Sequence, residues 1–172
     1  MNNEYQDRDS TDLPTLIAFL QDTPRLLVTL TSDLSDAELR WKHSEEEFSA
    51  LENICHLRDL ELQGYAPRVK RMLDETNPEL ADFDGARVAA ESNYNEEAPT
   101  AALAAFGKAR QENVEKFRGL TEEQLKREGT LEGVGSITLK QLAEKMREHD
   151  ESHLEDLRVL RHRVQRQVGQ KM

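Results

Sequence analysis

Residues 146–160 read MREHDESHLEDLRVL and place two histidines inside a helical pattern of apolar residues. His149 and His153 stand four residues apart, so they lie one turn apart on the same helix face, where both imidazoles can reach one metal ion. Their neighbours recur every three or four residues, which is typical of a buried helix stripe. The stripe consists of Leu139, Leu142, Met146, His149, His153, Leu157, Leu160 and Val164.

The pair of core histidines has two interpretations. A single histidine on an apolar face is more often a core residue with a satisfied hydrogen bond. Two of them in the middle of a stripe are harder to explain in this way, because each buried imidazole needs a polar partner of its own, and a shared metal ion is the alternative. Two ligands are too few for a tight metal site, so a third donor has to come from another part of the chain.

Three other histidines are candidates for that third donor. His162 stands among arginines outside the stripe and is predicted to be a solvated residue. His43 belongs to the polar connector WKHSEEE. His56 follows Cys55 in a second helical pattern that begins near residue 49. It stands at the edge of the apolar stripe of that helix, in a polar row that includes Glu52 and Asp59. That row fits either a solvated helix face or the wall of a site whose carboxylates orient the rings, and spacing alone does not choose between them.

Composition and charge exclude several classes of protein. The chain has 172 residues, of which 37% are hydrophobic and 33% charged, with few aromatic, glycine or proline residues, a balance typical of a compact helical protein. The net charge of −11 disfavours nucleic acid and anionic membranes as partners. The only cysteine, Cys55, excludes an intramolecular disulfide. The N-terminal MNNEYQDRDSTDLP lacks the features of a signal peptide, so a cytoplasmic location is expected.

Four long helical patterns predict an all-α protein, most simply a four-helix bundle, with residues 1–172 as a single domain and a core at about 11–165. The first follows the capping residues Ser10, Thr11 and Asp12, and Pro24 predicts a kink or a break inside it. The others begin near residues 49, 100 and 138. The second has a possible capping box at its start, and a local bend must accommodate Pro67 inside it. Its predicted buried stripe consists of Phe48, Leu51, Cys55, Leu62, Tyr65, Val69 and Met72.

Four segments together resemble the DinB-like superfamily: FSALENICHLRDLE, YAPRVKRML, NPELADFDGARVAAESNYN and ITLKQLAEKMREHDESHLEDLRVL. The resemblance extends from about Leu13 to Val164, and the HLRDLE and HDxxHL blocks are its most specific elements. It implies a four-helix bundle that holds one divalent metal ion with three histidines. The positions that match are His56 on the second helix and His149 and His153 on the fourth. The connector RWKHSEEEFS departs from the family pattern, which leaves the role of His43 open.

A site of three neutral imidazoles leaves coordination positions open and keeps the full charge of the metal, which favours activation of water or of a thiol. The expected chemistry is hydrolysis or S-transfer to a small-molecule electrophile, with a small-molecule substrate or thiol cofactor as partner. Zinc or nickel is the expected metal, and iron, manganese or copper would also suit the site. The alternatives are a non-catalytic metal- or ligand-binding protein related to stress, and a purely structural or dimerising bundle.

Carboxylates near the three histidines are candidates for a general base or for groups that orient the rings. Asp150 and Glu52 are the main ones, and each has an alternative as an ordinary surface acid in a chain with 34 acidic residues. Asp59 and Glu61 are further candidates. Cys55 is expected to be an inert, buried thiol rather than a nucleophile. A homodimer formed through an exposed helix face is also expected.

Overall fold

The computed structural model describes residues 11–169, so Ser10 and most of the N-terminal segment considered above lie outside the described part of the chain. In chain order its elements are α1 (Leu13–Thr31), α2 (Asp36–Leu39), α3 (Ala50–Asp59), a π-helical segment (Leu60–Tyr65), α4 (Ala66–Asp74), β1 (Glu79–Leu80), α5 (Gly85–Ser92), a 3₁₀ turn (Tyr94–Glu96), α6 (Pro99–Arg118), α7 (Glu122–Leu125), β2 (Glu128–Leu131), β3 (Gly135–Thr138) and α8 (Leu139–Gly169).

The predicted four-helix bundle is confirmed. Its four long units are α1, the continuous run from α3 through the π segment to α4, α6, and α8. Helix α1 packs against both α6 and α8, and α3 packs against α6 and α8. Apolar side chains from all four units fill the interior. Within residues 11–169 no helix combines the length and the apolar character needed to cross a bilayer.

Pro24 does not break the first helix. Asp12 caps α1 by accepting a hydrogen bond from the Thr15 backbone N–H at 2.8 Å, and the helix then continues to Thr31. A proline has no N–H to donate to the carbonyl four residues earlier, which here belongs to Leu20. The guanidinium of Arg110 donates to that carbonyl at 3.3 Å. The packing of α6 therefore compensates for the hydrogen bond that Pro24 removes.

The bend expected at Pro67 takes the form of a π-helical segment immediately before it. The Ala66 N–H bonds to the Glu61 carbonyl, five residues back, and Pro67 occupies the first turn of α4, where its missing N–H costs little. The prediction that Leu62 is buried is wrong, since it is 46% exposed. Each residue of a π-helix turns the chain by less than in an α-helix, so a stripe extrapolated at α-helical spacing does not hold across this segment.

A small three-stranded sheet joins the connection between α4 and α6 to the connection between α6 and α8. Strand β1 pairs with β2 in parallel, and β2 pairs with β3 in antiparallel register, with Leu131 opposite Gly135. The glycine-punctuated segment before α8 is therefore extended, and it contains β2 and β3. Because β1 is held by β2, the chain that follows it returns over α3, and Phe83 and Gly85 lie against His56.

Candidate metal centre

Three histidines from two helices converge inside the bundle. His56 belongs to the last turns of α3, and His149 and His153 occupy successive turns of α8. The Nε2 atom of His149 lies 3.2 Å from Nε2 of His56 and 3.1 Å from Nε2 of His153. One ring nitrogen from each histidine lies within 4.8 Å of the other two. His43 and His162 are both exposed and lie outside this cluster.

The geometry of the three rings fits a single metal ion. Metal–nitrogen bonds of about 2.0–2.1 Å place neighbouring imidazole nitrogens roughly 2.9–3.4 Å apart, which is the spacing around His149. The Nδ1 atom of His153 lies 2.6 Å from Oδ1 of Asn53, an oxygen that only accepts. His153 must therefore carry its proton on Nδ1, which leaves the Nε2 lone pair facing the other two rings. The donor set is imidazole only, as in catalytic zinc sites with an open position.

The surroundings hold the three imidazoles in their neutral form, the form that binds metals. Burial, followed by the neighbouring His153, lowers the pKa of His149 to about 3. Burial and His153 lower the pKa of His56 to about 4. The pKa of His153 is also lowered by burial, which the nearby Asp150 opposes. Within the described residues, the Nδ1 atoms of His56 and His149 are buried without a hydrogen-bond partner in the structure.

Aromatic rings and one glycine shape the surroundings of the histidines. The ring centroids of Phe48 and Phe83 lie 5.5 and 6.1 Å from that of His56, and Tyr65 lies edge-on to His149 at 6.4 Å. Gly85 begins α5 directly against His56. A Cβ atom at this position would come within 2.4 Å of Cε1 and 2.9 Å of Nδ1 of that ring. Only a glycine therefore lets the connection close over the imidazole without displacing it.

Glu52 is engaged at the start of α3. Its carboxylate accepts from the Ser49 backbone N–H at 2.7 Å while the Ser49 hydroxyl accepts from the Glu52 N–H at 3.0 Å, which confirms the predicted capping box. Lys42 adds an ion pair to the same carboxylate at 3.2 Å. These contacts place Glu52 in the framework that fixes the helix, and its expected role as a base or orienting group stays a prediction.

Asp150 belongs to a buried ionic cluster behind the histidines. Its carboxylate accepts from the Thr23 hydroxyl at 2.9 Å and from two nitrogens of Arg110, one of them at 3.0 Å. Arg110 also pairs with Glu61 at 2.9 Å, and Asn113 donates to Glu61 at 2.7 Å. All five side chains are almost completely buried. This cluster joins α1, the π segment, α6 and α8, and it adjoins His149 through Asp150.

Sequence reasoning missed Arg110, although the pattern contained a signal for it. Phe106 and Val114 are apolar residues of α6 at helical spacing, and Arg110 stands midway between them. A lone arginine on an apolar stripe requires buried acidic partners. Asn53 was also missed, though it lies one turn before His56 on the same helix. Both residues act through partners that are distant along the chain.

Asp59 and Cys55, the remaining candidates near the three histidines, contribute to the packing of α3. Asp59 accepts from the Tyr94 hydroxyl at 2.8 Å and from Arg58 at 2.7 Å, which ties α3 to the 3₁₀ turn. Cys55 is fully buried, and burial is the main cause that raises the pKa of its thiol to about 12. A thiol that stays protonated is a poor nucleophile, which agrees with its expected role as a small core residue.

Comparison with known proteins assigns the chain to a family. A family model described as the DinB superfamily matches residues 20–157, well over half of the chain. This chain belongs to the DinB superfamily. Among solved structures, this DinB protein is similar to YfiT from Bacillus subtilis, described as a probable metal-dependent hydrolase with an unusual four-helix bundle topology. The likeness covers 93% of each chain, with a TM-score of 0.83 and 22% identity, and so concerns the fold. No curated protein sequence matches.

Proposed function

We propose that this DinB protein is a divalent-metal-dependent enzyme that uses His56, His149 and His153 as ligands and acts on a small-molecule electrophile. The observation that carries the proposal is the convergence of three neutral, partly or fully buried Nε2 atoms from α3 and α8. Superfamily membership and the description of YfiT as a probable metal-dependent hydrolase support it.

The chemistry follows from the donor set. When bound, a divalent ion supplies an uncompensated positive charge that favours deprotonation of water or of a thiol. The reaction is then hydrolysis or S-transfer to the electrophile. Zinc or nickel is the metal that we propose, and iron, manganese or copper are alternatives that metal analysis would distinguish.

The protein contributes position and protonation state. Asn53 holds the proton of His153 on Nδ1, so Nε2 keeps its lone pair. Burial keeps all three rings neutral near pH 7. Asp150 acts in this proposal by anchoring the turn of α8 that carries His149, because its oxygens accept from Arg110 of α6 and Thr23 of α1. Glu52 fixes the start of the helix that carries His56.

Metal analysis tests the central claim. Protein purified without a histidine tag should carry about one divalent ion per chain, and the His149→Ala variant should carry almost none. His162→Ala is the matched control, because His162 is an exposed histidine on the same helix and lies outside the cluster. Equal metal content in the wild type and the His149→Ala variant would refute the proposal.

Activity measurements separate the two reaction classes. The metal-loaded protein is mixed with a chromogenic ester, and separately with an aryl halide and a small thiol. Turnover of the ester would identify a hydrolase, and thiol-dependent displacement of the halide would identify a thiol transferase. A loaded protein that binds metal stoichiometrically but turns over neither substrate favours the alternative, a non-catalytic metal- or ligand-binding protein. The homodimer stays a prediction, which light scattering after size-exclusion chromatography would test.

A further inference from the structure

A cleft of about 480 Å³ lies beside the candidate metal centre. It shares two residues with the surroundings of the three histidines. Asn53 lines the cleft and bonds to His153, and Phe48 lines it and lies 5.5 Å from His56 between ring centroids. A ligand in this cleft is therefore separated from two of the three histidines by a single side chain.

The walls of the cleft differ in character. Phe48, Val159 and Leu160 provide an apolar surface, and Val159 is 42% exposed. The charged lining consists of three acids, Glu46, Glu47 and Asp156, and one base, Arg163. A volume of this size with an apolar wall and a few polar groups is typical of small-molecule sites.

Not all of these charges are available to a ligand. Arg163 already donates to Glu47 at 2.6 Å, so those two charges compensate each other. Glu46 remains ionised, since a hydrogen bond from Ser44 lowers its pKa. Among residues 11–169, no cation forms an ion pair with Asp156. Two negative charges are therefore left facing the cleft.

Asp156 is the more informative of the two. Partial burial, with repulsion from Glu47 and Glu155, raises the pKa of its carboxyl group. Asp156 as a whole is exposed and has no counter-ion within the described residues, so an incoming organic cation would relieve its repulsion from the neighbouring carboxylates. An anionic ligand would be repelled by the carboxylates of Asp156 and Glu46.

We infer that this cleft binds the non-reacting part of the substrate, and that this part is an apolar group that ends in an organic cation such as an ammonium or guanidinium. The apolar body packs on Phe48, Val159 and Leu160, and the cation lies near Asp156 and Glu46. The inference rests on the proposed function for its link to catalysis, and it implies that negatively charged substrates and thiols are disfavoured.

The test compares three probes that share a ring and differ in charge: benzylammonium, benzyl alcohol and benzoate. Each is titrated into the isotope-labelled full chain, and amide shifts are followed by NMR. Benzylammonium should perturb the amides of the cleft and bind at least about fivefold more tightly than the other two, since one unit charge at close range is worth about that factor. Asp156→Asn should weaken it by about the same factor.

Glu155→Gln is the matched control, because Glu155 is an exposed acid next to Asp156 that does not line the cleft. It should leave benzylammonium binding within about 1.5-fold of the wild type. Equal binding of the three probes, shifts confined to residues outside the cleft, or an equal effect of both substitutions would overturn the inference.

The same titration on His149→Ala separates this inference from the proposed function. Selective binding of benzylammonium by a variant that has lost its metal supports the cleft as a cation site independently of the metal. A wild type that binds one metal ion but shows no preference for benzylammonium supports the three-histidine metal site and rejects the cleft as a cation site.

Discussion

The three clustered histidines make the stability of the metal-free protein depend on pH. In the unfolded chain a histidine has a pKa of about 6.5, whereas in the folded protein the pKa of His56 is about 4 and that of His149 about 3. The unfolded state therefore binds more protons below pH 6.5, and the free energy of unfolding falls as the pH decreases. Between pH 7 and pH 5 we expect a loss of about 2 kcal/mol for each of His56 and His149.

Urea unfolding of metal-free protein at pH 7 and at pH 5 measures this loss. His149→Gln should reduce it by removing one titrating group, and His162→Gln should leave it unchanged. Most carboxyl groups titrate below this interval, so they contribute little to the difference. A free energy of unfolding that is the same at both pH values would contradict the neutral state assigned to the rings.

At the same scale, Arg110 is the residue on which the buried ionic cluster depends. Arg110→Met would leave Glu61 and Asp150 buried without their shared counter-ion. We expect a loss of about 3–5 kcal/mol in the free energy of unfolding. Arg158→Met is the control, because its pair with Glu155 is exposed and should be worth about 0.5 kcal/mol. Similar losses from the two substitutions would show that the cluster is not a stabilising element.

At the scale of elements, the first turn of α5 determines where His56 can lie. Gly85→Ala would place a methyl group 2.4 Å from Cε1 of the ring, so His56 must move away. We expect metal affinity to fall by about 10–100-fold, as for other residues that orient a ligand. The measurement is competition for zinc with a chromophoric chelator.

Gly107→Ala provides the comparison for Gly85→Ala. Gly107 lies inside α6, and the nearest atom to an added Cβ, on Pro24, is 3.8 Å away. This substitution should stabilise the protein by about 0.5–1 kcal/mol and leave zinc affinity unchanged. If both alanines leave the affinity unchanged, Gly85 does not position His56.

The elements themselves could be predicted from local signals. The capping box of Ser49 and Glu52 marked the start of α3, and Asp12 marked that of α1. The consequence of Pro24 could not be predicted, because the partner for the Leu20 carbonyl comes from α6. The exposure of Leu62 was missed because the π segment departs from the α-helical spacing on which the stripe was based.

At the scale of the whole molecule, a bound metal would connect two helices whose ligands lie 93 residues apart, His56 and His149. A metal that binds only the folded state adds about 4 kcal/mol at a thousandfold excess over its dissociation constant. For a chain of this length that raises Tm by about 8–16 °C. Differential scanning fluorimetry with and without zinc measures the shift. His149→Ala should abolish it, and His162→Ala should preserve it.

The sequence by itself determined the helical class, the starts of α1 and α3 and the pairing of His149 with His153, because all of these depend on residues within about one turn of each other. It left His56 undecided until the family resemblance was considered. Only the tertiary structure decided that His56 meets the other two rings, that Arg110 neutralises two buried acids, and that Gly85 closes over the site. Those contacts join residues far apart in the chain, and their geometry depends on how the helices pack.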